Sequence, residues 1–102
     1  GAGSLRPKVP NEKMTWQLKP RVRLDRDLEK DGGALFDTYT ASLSACNGTA
    51  WTLLHALKSG ATLEDLVARL VERYEVPEEE ARRDASNLIQ KLDIMDLVDG
   101  RD

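Results

Sequence analysis

Residues that carry chemistry are scarce in this chain: there is one cysteine, Cys46, and one histidine, His55, among 102 residues. A lone cysteine excludes an internal disulfide and cannot by itself make a thiolate metal site, so Cys46 is expected as a small core residue. A metal site would have to be built from carboxylates. The acids here gather at predicted helix starts, where capping and the helix dipole account for them. His55 stands among Leu53, Leu54 and Leu57, with no third group placed to orient it toward Ser44 or Cys46. A nucleophile elbow and a phosphate loop are both absent. The chain reads as non-catalytic, without cofactor or metal. No apolar run approaches the roughly 20 residues that cross a bilayer, and no basic-then-apolar leader is present, so a cytoplasmic protein without membrane contact is the default expectation.

What is present is ordinary soluble composition, 40% hydrophobic and 32% charged, enough for one small domain. The net charge of -3 is unevenly spread. From Gly1 to Asp31 there are eight Lys/Arg against five acids, and from Thr62 to Asp96 ten acids against five Lys/Arg. The second half is acidic, the opposite of what nucleic acid attracts.

The stretch from Thr38 to Leu57 divides the chain. Tyr39, Ala41, Leu43 and Ala45 alternate with Thr40, Ser42, Ser44 and Cys46, a strand pattern. After Asn47 the period changes, and Ala50, Leu53, Leu54 and Leu57 share a helical face. Asn47 suits the junction because its side-chain oxygen can accept from an unpaired first-turn amide. Upstream, Gly1-Ala2-Gly3-Ser4 resembles a remnant of tag removal, and residues 1–13 as a whole read as remnant and mobile lead-in. Met14 to Leu18 alternates weakly around Trp16, and Trp16 to Leu18 is at most an edge element, because Pro20 cannot donate a ladder bond. Arg21 to Asp25 predicts a first strand with Val22 and Leu24 on one face. Glu29-Lys30-Asp31-Gly32-Gly33 predicts a turn, with Asp-Gly the hairpin signal and Gly33 free to take positive φ, and Ala34 to Asp37 the returning strand.

Three helices follow. The first ends at Ser59-Gly60, with Gly60 expected as a left-handed cap. Thr62 and Asp65 offer a capping box to the second, whose buried stripe is Leu63, Leu66, Val67, Leu70, Val71 and Tyr74. Pro77 and Glu78-Glu79-Glu80 suit the start of the third. That helix buries Ala81, Ala85, Leu88, Ile89 and Leu92, and Leu97-Val98 closes the core. The expected fold is α+β: a three-stranded antiparallel β-meander followed by three helices, winged helix-turn-helix-like. Residues 14–98 form the domain and 99–102 a tail.

The second and third helices could suggest insertion into a DNA groove, but three carboxylates in the first turn of the third would repel phosphate. A peptide reading fits the β half better. The strand Tyr39 to Cys46 can lie at a sheet edge, and it carries neither Lys nor Pro to block one. Either another element covers it or it accepts a partner strand. In the second case Thr40, Ala41, Ser42, Leu43, Ser44 and Ala45 supply backbone. A flank of the third helix, Asp84, Asn87, Lys91 and Ile94, walls the groove, with Lys91 steering acidic residues of the partner.

The ordered set Asn47-Gly48-Thr49-Ala50, Leu54, Ser59-Gly60-x-Thr62, Leu66 to Leu70, Tyr74-x-Val76, Ala81-x-x-Asp84-x-x-x-Leu88-x-x-x-Leu92 and Leu97-Val98 resembles the PqqD-like proteins. Their fold is also the precursor-peptide recognition element (RRE) of enzymes that modify ribosomally made peptides (RiPPs). The resemblance covers roughly Arg21 to Val98 and departs from the family at Cys46, where a leucine is usual, and at Asn87, where an apolar residue is common. It implies a cytoplasmic peptide chaperone that binds the leader segment of a precursor peptide by strand addition. It would present that leader to a separate modifying enzyme, such as a radical-SAM enzyme or a leader peptidase. A winged-helix nucleic-acid binder and an enzyme-docking subunit are the alternatives.

Overall fold

The structure, a computed structural model, describes residues 13–101; the expected remnant and nearly all of the lead-in fall outside them. Nine elements follow in the order β1 (Thr15–Leu18), β2 (Val22–Arg26), β3 (Gly32–Asp37), β4 (Ser42–Asn47), α1 (Gly48–Ser59), β5 (Ala61–Thr62), α2 (Leu63–Tyr74), α3 (Glu78–Ile94) and β6 (Val98–Arg101). The expected meander is the antiparallel sheet β2-β3-β4, and a second antiparallel sheet has the order β5-β1-β6. The fold is α+β, winged-helix-like, with more strand than the periodicity revealed.

The second sheet corrects two expectations. Far from being an edge, β1 is the central strand, pairing Trp16 with Ala61 on one side and Gly100 on the other. Pro20 does not interfere because the ladder ends at Leu18, two residues before it. The expected tail is strand as well: Asp99, Gly100 and Arg101 pair with Gln17, Trp16 and Thr15. Burial of Trp16, Leu18 and Val98 holds this sheet on the helices.

The β2–β3 connection begins two residues before the expected turn and ends before Gly32. Asp27 N–H donates to Gly32 O, and Asp27 Oδ1 accepts from Glu29 N–H, so residues 27–31 form the loop. The positive φ, 134°, falls on Gly32 and not Gly33. After β3 the chain does not enter a strand at Tyr39. The Asp37 carboxylate accepts from Tyr39 N–H and the Thr40 hydroxyl, and Ala41 takes φ 58°. These bonds hold 38–41 as a turn, so β4 begins only at Ser42; local side-chain bonding outcompetes an extended chain that the alternation alone would allow.

Helix ends follow local chemistry. Asn47 Oδ1 accepts from Ala50 N–H at 2.8 Å and opens α1. Thr62 and Asp65 make the complete capping box of α2. Gly60 caps α1 with a positive φ, 101°, as expected of glycine there, but its ψ of 131° lies outside the left-handed helical region. Pro77 is the N-cap of α3, ahead of Glu78, Glu79 and Glu80 in the first turn. Leu53, Leu57, Leu66, Leu70, Ile89 and Leu97 are the fully buried centre of the core. Val71 lies at the edge of the α2 stripe and is 37% exposed, and Leu88 is only half-buried. Among the described residues no helix is long and apolar enough to cross a membrane.

Candidate peptide-binding groove

Among the described residues β4 is an open edge, because β3 pairs with it on one side and the sheet order places no described strand on the other. Which backbone groups it leaves free follows from ladder alternation. Asp27 N–H donates to Gly32 O and Thr38 N–H to Arg21 O, so those are hydrogen-bonded pairs. Bonded and non-bonded pairs alternate, and Gly32, Ala34 and Phe36 therefore turn N–H and C=O toward β2. Gly33, Leu35 and Asp37 turn theirs toward β4, to their partners Cys46, Ser44 and Ser42. The N–H and C=O of Leu43 and Ala45 are left pointing away from the sheet.

Side chains alternate the other way. Leu43 and Ala45 share the outer sheet face with Phe36 and Ala34, whereas Ser42, Ser44 and Cys46 share the inner face with Asp37 and Leu35. Under that inner face, between β4 and α3, lies a cavity of about 210 Å³. Ser44, Ala45, Cys46 and Asn47 line one side, Leu88, Lys91, Leu92 and Met95 the other, and Leu35, Leu54 and Leu97 the back. A second hollow of about 330 Å³ shares Asn47, Ala50 and Leu88 with it and adds Asp84, Asn87 and Thr49. Together they make one groove. Its wide end is at Asn47 and Asp84, and its narrow, apolar end is at Ser44 and Met95.

Of the residues expected at the site, Ser42, Leu43, Ser44 and Ala45 form the edge strand, Asp84 and Asn87 line the wide end, and Lys91 lines the narrow one. Thr40 and Ala41 are in the preceding turn, contrary to the strand expected there. Ile94 is 86% exposed and lines neither hollow. Leu88, Met95, Cys46 and Ala50 line the groove without having been anticipated. Leu88 obeys the core period, so its half-exposure could not be read from spacing. Cys46 is also half-buried, not a core residue; its thiol donates weakly to Ser44 O at 3.9 Å, and burial pushes its pKa up.

The turn feeding β4 is pinned by a buried carboxylate. Asp37 is 4% exposed and accepts from Arg21 Nε at 3.1 Å in addition to Tyr39 and Thr40. Burial pushes its carboxyl up, but the Tyr39 N–H, the Thr40 hydroxyl and the Arg21 charge outweigh this and hold it below the usual carboxylate range.

Elsewhere the chemistry is thin. His55 is exposed, its ring 6.2 Å from that of Trp51. It borders a larger hollow of about 640 Å³ between α1 and α2, where the neighbouring charges are Asp65, Arg69, Glu72 and Arg73. That hollow does not touch the free edge. Among the described residues no cluster of His, Cys, Asp and Glu could hold a metal. At the start of α3, Arg82 is tied to Glu64 at 2.6 Å and, at 3.2 Å, to Glu78, one of the three carboxylates of the first turn.

An open-edged sheet facing a helix across an apolar groove, on a winged-helix-like scaffold, defines a small α+β domain. The chain belongs to the family of coenzyme PQQ synthesis protein D (PqqD), whose family model matches residues 34–101. Two solved structures share the fold. TbiB1 in complex with the TbiA(beta) leader peptide superposes with TM-score 0.73 at 17% identity, over 84% of this chain and 98% of that one. Lasso peptide synthetase B1 complexed with the leader peptide gives TM-score 0.68 at 24% identity, over 81% and 95%. No curated protein matches the chain.

Proposed function

We propose that this domain is a non-catalytic module of RiPP biosynthesis that binds the leader segment of a precursor peptide as a fourth strand on β4 and presents it to a separate modifying enzyme in the cytoplasm. The observation that carries the reading is the pairing of free backbone groups at Leu43 and Ala45 with an apolar groove directly beneath them. Main-chain bonds supply register-tolerant affinity, and a groove beneath every second side chain supplies selectivity. A leader residue opposite Ser44 would point inward to Leu88 and Met95, and those opposite Leu43 and Ala45 outward. Family membership supports the reading, as do two structures of this fold that each hold a leader peptide. Lys91 at the groove favours acidic leader residues. No observation favours nucleic acid.

Fluorescence anisotropy with a labelled candidate leader peptide tests this. Saturable one-to-one binding, with a dissociation constant on the order of micromolar for a short ordered segment, is expected. Absence of binding to that leader, with binding to duplex DNA instead, would overturn it.

A further inference from the structure

Arg21 bonds to groups adjoining both walls of the groove, Asp37 ahead of the turn into β4 and Asp96 just past the end of α3, without lining it. Its Nε donates to Asp37 at 3.1 Å, and its Nη2 donates to the Asp96 backbone carbonyl at 2.8 Å. The Tyr39 ring covers the guanidinium at 4.7 Å. Asp37 holds the 38–41 turn that launches β4, and Asp96 directly follows Met95 at the end of the α3 wall. Main-chain bonds run the same way. Thr38 N–H and its hydroxyl both donate to the Arg21 carbonyl, at 3.1 and 2.8 Å, and Lys19 N–H donates to Leu97 O at 2.9 Å. Ala41, just before β4, and Asp96, just after α3, both hold positive φ, 58° and 59°. Such backbone conformations persist where surrounding bonds over-determine them.

We propose that Arg21 is a positioning residue for this site: a two-ended clamp that fixes the start of β4 relative to the end of α3. The guanidinium suits this because its donors sit on separate nitrogens of a rigid fork and can serve two acceptors at once. A glutamine there has reach for one. The clamp acts on the free protein, and only the identity of what enters the groove rests on the leader-binding reading.

Cys46 reports groove width without any peptide, since its thiol lines the narrow cavity and is half-buried. In Arg21→Gln, labelling of Cys46 by N-ethylmaleimide should be about tenfold faster than in the wild type, the size expected from losing one charge-assisted hydrogen bond. Below the unfolding transition the rate should not change with denaturant, the mark of a local opening. Lys19→Ala removes an ion pair to the same Asp96 without touching the turn, and should label at the wild-type rate. Leader affinity should fall about tenfold in Arg21→Gln and stay near wild type in Lys19→Ala. Equal labelling in wild type and Arg21→Gln overturns the clamp, and so does an acceleration that Lys19→Ala reproduces or that follows global unfolding. Should Arg21→Gln not fold, Arg21→Lys retains charge and packing with a single donor head, and the same comparison decides. A wild-type chain that ignores leader while Arg21→Gln labels fast counts against the functional reading and for the clamp.

Discussion

Leu35 and Ser44 stand directly opposite each other across β3 and β4, yet Leu35 is 5% exposed and Ser44 is open to solvent. One face of one sheet is therefore core at its middle strand and groove at its edge. A strand added beyond β4 would continue that face and place its inward side chain over Leu88 and Met95.

Proline scanning of β4 separates the two edges of the strand. Leu43→Pro and Ala45→Pro remove outward amides, which proline tolerates on an edge, so each should fold while binding leader more weakly by about 1 kcal/mol or more. Ser44→Pro removes a bond to β3 and should lower stability itself. Thermal melts with leader titration of the three variants check this; equal stability losses in all three would contradict the assigned register.

Cys46→Ala should cost on the order of 1 kcal/mol, since the side chain is only half-buried and adds one packed sulfur. Because burial raises the thiol pKa, its labelling should keep accelerating with pH beyond the range where an ordinary thiol levels off, and bound leader should slow it. Chemical denaturation and rate measurements against pH provide the readings.

How far the sequence alone foretold this depended on how local each cause was. Asn47, the Thr62–Asp65 box and Pro77 act within one turn of themselves, and all three helices start where those residues indicate. The central position of β1 arises from pairing with Ala61–Thr62 and Val98–Arg101, far along the chain, and no local period encodes it. The late start of β4 comes from where the Asp37 carboxylate points, which alternation does not carry. At the groove, periodicity placed Leu88 on the core side of α3. Whether a neighbour covers that side depends on where β4 ends, so the half-exposure of Leu88 and the role of Met95 were not legible.

Acid should loosen the turn that feeds the groove. Asp37 is held below the usual carboxylate range as described, and Asp96 is lowered chiefly by the hydrogen bond from Lys19. A carboxyl depressed in the folded state contributes stability in full above its unfolded pKa, about 4, and loses it as pH falls through the folded value. Lys19 is raised, chiefly by its bond to Asp96; its contribution is complete below about 10.4 and is lost only as pH rises through the raised value. Melting temperature against pH should show an acid limb that Asp37→Asn flattens. An unchanged limb in that variant would assign acid sensitivity elsewhere.

Lys91→Glu should slow association with an acidic leader severalfold and steepen no unfolding transition, with stability within about 0.5 kcal/mol, because a rim charge acts mainly on encounter. Leu88→Ala and Met95→Ala should instead speed dissociation. Stopped-flow kinetics at two salt concentrations distinguishes the two classes, and a Lys91→Glu effect confined to dissociation would contradict the steering role.

The most direct measurement is a titration of the ¹⁵N-labelled domain with its leader peptide, followed amide by amide. Leader strand addition on β4 predicts the largest shifts, and protection from hydrogen exchange, at Leu43 and Ala45, with smaller shifts at Cys46, Leu88, Lys91 and Met95. Shifts clustered around His55 and α2, with β4 and α3 silent, would contradict it.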